Sequence, residues 1–366
     1  MSKLRILFLE PFFGGSHKDF ALGWQEHSVH QIELITLPDR FWKWRMRGAA
    51  LHFVPEALAS EPFDALVATD MMNVGDFRAI AHKSDIPILL YFHENQLTYP
   101  EGPGEKRETR FAYINITSAL AADRVLFNSR FHFNLFFQAA RSMMQSVPDH
   151  CPDWIMEEIL EKSGVAYPGC RFPPGKVDAA SADPEPPLVV WNHRWEWDKQ
   201  PDVFFSVLRG IRDADIPFRL ALLGESYEKI PKVFQNAKEE FADQIAVFGY
   251  VESRCEYLDF LEKGAVTVST AVQENFGISV VEAVRMGCFP LLPDRLSYPE
   301  IIPDRFHDQV LYSGTEDLDK KLRHLLLHSD EYDSSRKELS KSMEKFSWEL
   351  MVPEYDNLVA DMASKV

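Results

Sequence analysis

The sequence predicts an α/β protein with two doubly wound parallel sheets. Three observations carry that prediction. Short apolar runs alternate with longer amphipathic ones through the chain, the pattern of parallel strands joined by crossover helices. The alternation breaks once, at "YPGCRFPPGKVDAASADPEPP" (167–187), a stretch rich in Pro, Gly, Ala and Asp without periodicity, and then resumes. A chain of 366 residues that is 46% hydrophobic and 13% aromatic is also long enough to bury two cores. We therefore expect an N-terminal domain over residues 1–170, a linker over 171–187, a second domain over 188–345 and a closing segment over 346–366.

In the first domain the candidate strands are "LRILFL" (4–9), "HQIELIT" (30–36), "DALVAT" (64–69), "IPILLYF" (86–92) and "RVLFN" (124–128). The helical stretch "RETRFAYINITSALAAD" follows the fourth, and "SRFHFNLFFQAARSMM" follows the fifth with Ser129 in a capping position. In the second domain the strands are "PLVVWN" (187–192), "PFRLALLG" (217–224), "QIAVFG" (244–249), "AVTVST" (265–270) and "CFPLLP" (288–293). The closing "FSWELMVPEYDNLVADMA" is amphipathic, with an apolar face that can pack on either domain or on both.

Composition excludes several classes. No stretch approaches the roughly 18 apolar residues of a membrane span, and the opening "MSKLRILFLEP" is too short in its apolar part for a signal peptide. Cys151, Cys170, Cys255 and Cys288 are widely spaced, with no metal-ligand pattern, so we expect reduced thiols in a cytoplasm, no metal and no membrane association. Asn115-Ile116-Thr117 is then a chance match to a glycosylation sequon. The net charge of −17 opposes a protein that merely coats nucleic acid or anionic lipid. That charge is uneven: residues 1–148 hold 15 Lys+Arg against 16 Asp+Glu, and the remainder 24 against 40. "RFWKWRMRG" (40–48) interleaves four cations with three aromatics, and "GEKRETR" (104–110) adds three cations, so a phosphate backbone has places to land.

Ligands of open parallel sheets bind beyond the carboxyl ends of the strands. Strand one ends in "EPFFGGSHKDF", where Gly14 and Gly15 let backbone approach a ligand, Ser16 is placed to cap the next helix, and His17 sits in its first turn. The spacing is not GxGxxG, which removes the main support for a nicotinamide-dependent oxidoreductase. Strand four runs into "FHENQLTYP", grouping His93, Glu94, Asn95 and Gln96. In the second domain Arg194 and Lys199 lie between a strand and a helix, suited to a pyrophosphate or else to surface pairing with Glu196 and Asp198. Gly249 and Tyr250 end another strand, where an aromatic and open backbone can hold a flat ring.

The stretch "STAVQENFGISVVEAVRMG" (269–287) sets two carboxylates around the start of a helix. A helix N-terminus suits phosphate, whereas carboxylates repel one. Glu274 and Glu282 therefore need another task, and accepting hydrogen bonds from hydroxyls on either side of a diphosphate is the one they do well. Ribose diol, pyrophosphate and hexose in a row describe a nucleoside diphosphate sugar.

At these residues the chain resembles the retaining glycosyltransferases of family 4. The resemblance implies two Rossmann-like domains facing across a cleft (the GT-B architecture) and a closing helix that crosses back to the first domain. It matches Glu274 and Glu282 to the family's Glu, seven residues, Glu motif, Glu282 for the ribose and Glu274 for the transferred sugar. It implies that backbone at Asn275, Phe276 and Gly277 holds sugar and phosphates, that Arg194 and Lys199 meet the pyrophosphate, that Gly249 and Tyr250 receive the base, and that His93 lies near the sugar. The phrases "LEPFFGGSHKDFALGW", "YFHENQLTYP" and "NSRFHFNLFF" are similar to the tRNA-queuosine mannosyltransferases. That narrower resemblance implies GDP-mannose as donor, queuosine-containing tRNA as acceptor, and a site for the acceptor around Gly14 to His17 and Glu94 to Gln96. No cofactor beyond the donor is implied. A family 4 enzyme acting on a lipid, polysaccharide or small metabolite would keep every second-half assignment, and a non-catalytic RNA-binding module would need the basic patches but not the glutamates.

Overall fold

Twelve strands form two six-stranded sheets in the computed structural model, which describes residues 3–59, 62–82, 86–102, 104, 108–152, 154–173, 186–224 and 230–365. Residues 174–185, most of the expected linker, and Lys106 and Arg107 of the second basic patch lie outside the described residues. The chain divides into two compact units, Met1–Arg171 with Phe346–Val366, and Phe172–Lys345.

Unit 1 contains β1 (Arg5–Phe13), β2 (Gln31–Pro38), β3 (Ala65–Thr69), β4 (Ile88–Phe92), β5 (Arg124–Phe127) and β6 (Ser163–Val165). They pair in parallel in the order β2-β1-β3-β4-β5-β6. Helices cover both faces, so every residue of β3 and β4 is buried, which is why these strands read as unbroken apolar runs. β1 extends beyond the apolar run that announces it, carrying Glu10 inside the strand. Its register against β2 shifts between Glu10 and Phe13, where Pro11 has no N–H to give the ladder.

The final helix, Trp348–Ala363, belongs to unit 1. Trp348, Met351, Val352, Tyr355, Val359 and Met362 are buried on one face against Phe20 and Trp24 of helix Gly15–His27. Asp356 is buried among donors: Trp24 Nε1 at 2.9 Å, Ser28 Oγ at 2.7 Å and the Val29 amide at 2.9 Å. A buried carboxylate is tolerated because each oxygen is satisfied.

Unit 2 contains β7 (Leu188–Trp191), β8 (Arg219–Leu222), β9 (Ile245–Phe248), β10 (Gly264–Val268), β11 (Phe289–Pro293) and β12 (Leu311–Tyr312), in the parallel order β12-β11-β10-β7-β8-β9. This is the dinucleotide-fold order read from the other edge. β6 and β12, of three and two residues, escape the sequence reading because edge strands so short carry no apolar run.

Both strand orders reverse direction at one point, between β1 and β3 in unit 1 and between β7 and β10 in unit 2. The loops leaving those strands diverge there and open a crevice. Residues 10–17 and 69–70 meet at the first, residues 192–199 and 269–277 at the second. The four cysteines are free thiols, Cys170 and Cys288 buried and Cys151 and Cys255 exposed. Among the described residues no helix is long and apolar enough to cross a membrane.

Candidate functional site

The residues singled out from sequence fall into two groups, one in each unit. In unit 1 the group is a buried cluster of ionisable side chains. Glu10, wholly buried on β1, accepts hydrogen bonds at one carboxylate oxygen from the Phe12 amide (2.9 Å), Thr69 Oγ1 (3.1 Å) and His17 Nδ1 (3.2 Å). The His17 ring lies 4.1 Å from that of His93, and the His93 amide donates to Asp70 Oδ1 at 2.8 Å. Burial works against a charge on His17, but Glu10, through charge and hydrogen bond, and then Asp70 and Glu94 lift its pKa to about 9. His93, buried beside this cation, is held well below the ordinary histidine value by desolvation and by His17. The two rings divide the roles, one an imidazolium and the other neutral. Burial also lifts Asp70 to about 7, with His17 opposing and Glu94 adding to the rise.

Glu10, His17 and His93 bring ligand atoms within 4.8 Å of one another, a spacing that also suits a cation. A cation bound there would have to displace the proton from His17. Glu10, Thr69 and Asp70 are absent from the sequence reading. A charge after an apolar run reads as a strand terminator, and only the adjacency of β1, β3 and β4 makes these residues neighbours.

The loop after β4 is braced from within. Asn95 Oδ1 accepts from the amides of Leu97 and Thr98, both at 3.0 Å, and Asn95 Nδ2 lies 2.8 Å from His132 Nε2. His132, pushed down to about 3 by burial, is neutral, with Nδ1 donating to Asn128 Oδ1 and Nε2 accepting from Asn95. Buried Asn115 accepts from the Gln96 amide and donates to the Asp70 carbonyl, so this sequon asparagine is structural. Asn95 thus spends its side chain on its own loop and on His132, while partly buried Glu94 and Gln96 bond each other at 3.2 Å.

Helix Gly15–His27 begins two residues earlier than a Ser16 cap requires. Gly14 is the cap residue and Ser16, exposed in the first turn, caps nothing. At Gly14 the missing side chain leaves room for the Asp39 carboxylate, from which a Cβ would lie 2.0 Å. Ser129 does cap its helix, accepting from the His132 amide at 2.9 Å.

In unit 2 the central group is Lys199. Its ammonium is buried between Asp198 Oδ2 (3.3 Å) and Glu274 Oε2 (3.4 Å) and donates to the Gln273 carbonyl at 2.6 Å. Burial opposes both charges, yet each holds the other: Glu274 and Asp198 keep Lys199 above the ordinary lysine value, and Lys199, with His193 and Arg194, keeps Glu274 below the ordinary carboxylate range. Arg194 is 44% exposed and pairs with Glu196 at 3.3 Å, while Glu274 keeps 19% of its side chain open. The two cations after β7 are therefore unlike, one a surface fork and the other a buried counter-charge. His193, lowered to about 4 by burial and Lys199, is neutral, donating through Nε2 to the Val268 carbonyl and accepting at Nδ1 from Ser279.

The loop between the two glutamates is rigidly supported. Ser297 Oγ donates to the Phe276 carbonyl at 2.9 Å, Arg295 reaches the carbonyls of Thr270 and Ala271, and Asn275 and Phe276 are buried. Gly277, at φ 97°, is the N-cap of helix Ile278–Arg285, a left-handed conformation that favours glycine. That helix has no acidic residue of its own in its first turn. It buries more than the single side its periodicity suggests: Val280, Val281, Ala283, Val284 and Arg285 are all inside. Glu282 is held by Arg254 and by Tyr257 Oη at 3.2 Å, and Asn192 in turn donates to that tyrosine oxygen at 3.0 Å. Tyr250, beside Gly249 at the end of β9, is 65% exposed and so is not core. Arg254, Tyr257 and Ser297 are further residues that sequence reasoning missed, because each comes from an element remote in sequence from the glutamates.

Comparison with known proteins extends this picture. Residues 5–170 match the family described as tRNA-queuosine alpha-mannosyltransferase N-terminal, and residues 177–346 match glycosyl transferases group 1. A Drosophila melanogaster protein named tRNA-queuosine alpha-mannosyltransferase is 34% identical over 97% of this chain and 96% of its own length. Among solved structures, sucrose-phosphate synthase from Thermosynechococcus elongatus has a TM-score of 0.72 at 12% identity, covering 100% of both chains. The catalytic domain of starch synthase IV from Arabidopsis thaliana has a TM-score of 0.67 at 12% identity, covering 99% of this chain and 100% of that one. These structural likenesses are of fold, the two-sheet GT-B architecture of glycosyltransferases. The likeness to the fly protein runs from end to end and is closer, and by it the chain is a glycosyltransferase that belongs to the tRNA-queuosine alpha-mannosyltransferase family.

Proposed function

We propose that this enzyme moves mannose from GDP-mannose to a hydroxyl of the queuosine base in transfer RNA, with retention of configuration at the sugar. The observation that carries this reading is the end-to-end likeness to the fly enzyme. The geometry of unit 2 supports it, since a diphosphate flanked by two polyols needs carboxylates close to its charge, and these would repel it uncompensated. Buried Lys199 eases that conflict by offsetting one of the two negative charges that Glu274 and Asp198 bring beside the helix N-terminus.

In this reading Glu282 accepts hydrogen bonds from the ribose diol and Glu274 from the mannose hydroxyls, while Asn275 to Gly277 offer backbone to sugar and phosphate. Exposed Tyr250, with Gly249, takes the base. Arg194 meets the pyrophosphate as a fork. The anomeric carbon loses its bond to the β-phosphate oxygen as a bond to the acceptor oxygen forms on the same face, and the acceptor proton passes to the departing phosphate. Negative charge grows on that phosphate, where Arg194, the field of Lys199 and the amides after Gly277 stabilise it. Neutral His93 hydrogen-bonds the sugar without repelling the positive charge that develops on its ring. In unit 1, Gly14 to His17 with Glu94 and Gln96 face the acceptor. No cofactor beyond the donor enters this scheme, and the four free thiols suit the cytoplasm where transfer RNA is modified.

Incubating the protein with labelled GDP-mannose or UDP-sugars and with transfer RNA that contains or lacks queuosine tests the reading. Label entering only queuosine-containing RNA from GDP-mannose supports it. Donor hydrolysis with no label in RNA favours a small-molecule, polysaccharide or lipid acceptor instead. Arg194→Ala is expected to lower kcat about 100-fold; parental kinetics would remove Arg194 from the site. Glu282→Ala is expected to weaken GDP binding about 10-fold in calorimetry, with a smaller change in kcat, because a ribose hydrogen bond to a charged group is lost.

A further inference from the structure

We propose that Phe41, Trp44 and the cations Arg40, Lys43, Arg45 and Arg47 form a docking surface in unit 1 for an unpaired stretch of RNA. The proposal deepens the functional reading above and rests on it.

In a chain of net charge −17, residues 40–55 contain four cations and no Asp or Glu. They span the start of helix Trp42–Ala59 and the turn before it. The helix buries Met46, Ala49, Ala50, Phe53, Val54 and Ala57, so its fold needs only that face. Phe41 and Trp44, on the other side, are 71% and 60% exposed. Large aromatics are seldom left in water without a use, and here cations lie close in sequence to both: Arg40 is 5.7 Å from the Phe41 ring, and Lys43 and Arg45 flank Trp44 in the chain. Among the described residues Arg40 and Arg47 have no acidic partner. Arg45 donates to the Pro38 carbonyl at 3.2 Å, and burial, then the neighbouring charge of Arg40, lower its pKa. Phosphates spaced along a chain would relieve that repulsion, and exposed rings between them give bases a surface to stack on.

Position favours RNA over other anions. Met46 packs with Met71 and Phe111, and Phe12 and Trp42 join the same cluster, so the helix start sits against the segments that leave β1 and β3. These are the segments that carry Glu10 and Asp70. The surface thus lies at the same carboxyl edge of the sheet as His17 and His93, where an RNA-borne acceptor base has to arrive. Arg110 lies nearby, since Glu108 pairs with both Lys43 (2.7 Å) and Arg110. An anionic bilayer fits less well, because the opposite face of the helix is locked in the core and cannot sink into lipid.

The test compares wild type with Trp44→Ala and with the double variant Arg40→Ala/Arg47→Ala, all exposed positions, with thermal melts confirming the fold. Affinities for labelled transfer RNA and for a short single-stranded oligoribonucleotide are measured by anisotropy over a range of KCl. Trp44→Ala is expected to weaken binding to both RNAs about 10-fold. The double variant is expected to reduce the slope of log affinity against log salt by about 2, one for each phosphate left without its cation. Parental affinity and slope in both variants, with the wild type mannosylating RNA, overturn the surface but leave the functional reading standing. A wild type that binds vesicles of anionic lipid and no RNA overturns both.

Discussion

Lys199→Ala is expected to lower turnover about 100- to 1000-fold and to destabilise unit 2 by about 3 to 5 kcal/mol. The ammonium is buried with two carboxylates within 3.4 Å, and removing it strands both without their counter-charge, Asp198 fully buried and Glu274 mostly so. The catalytic loss follows from the same geometry. Without Lys199, a donor phosphate meets Asp198 and Glu274 uncompensated, both when it binds and more strongly as charge grows on it. The sign of the pH dependence is set by the two shifts. Glu274 lies below its ordinary value, so its contribution is present above the unfolded carboxylate pKa and is lost as pH falls through the lower folded one. Lys199 lies above its ordinary value, so its contribution is present below the unfolded lysine pKa and is lost as pH rises through the higher folded one. Across neutrality the pair is intact. Denaturant unfolding combined with steady-state mannose transfer checks both effects, and Lys199→Met/Asp198→Asn separates them by recovering part of the stability but none of the turnover. A folded Lys199→Ala enzyme with parental kcat would sink the idea.

Glu10→Gln is expected to destabilise unit 1 at pH 6 by about 3 kcal/mol, because it leaves a buried imidazolium without its main partner. His17 is faced by Glu10 from β1, Asp70 from the loop after β3, and Glu94 and His93 from the loop after β4. Its folded pKa of about 9 exceeds the ordinary 6.5, so the stability it lends is fully present below about pH 6.5 and is lost as pH rises through 9. A shift of that size corresponds to an effect on the order of 3 kcal/mol. Asp70, raised from 3.8 to about 7, acts in the same direction in a lower window, its contribution being lost as pH rises through 7. The wild type should therefore lose stability between pH 6.5 and 9.5, and Glu10→Gln should show a smaller loss at lower pH. Unfolding midpoints at pH 6 and 9.5, with the His17 ring titrated by NMR, read this out. An unmoved His17 titration in the variant would refute the ion pair.

The two sites differ in how much of each the sequence reveals. Glu274, Gly277 and Glu282 are recognisable because strand, loop and helix follow one another directly, Gly264–Val268, residues 269–277 and Ile278–Arg285, and local periodicity marks them. The burial of Lys199 is not recognisable, since the same spacing serves equally for a surface pair with Asp198. What decides it is the loop after β10 folding over Asp198, with the Val272 amide on its carbonyl at 2.8 Å and Thr270 Oγ1 on the Lys199 carbonyl at 2.7 Å. Ser16 misleads too: its type and position suit a cap, but the cap position falls on Gly14, two residues earlier.

By itself the sequence determined what depends on near neighbours: which runs become buried strands, that Ser129 caps its helix, and that two carboxylates flank one helix N-terminus. Tertiary structure decided which charges are buried together. Glu10, Asp70 and His93 lie at least 23 positions apart yet surround one imidazole, because strand order sets β3 between β1 and β4. Protonation follows from distance and desolvation, and these exist only once the sheet is assembled.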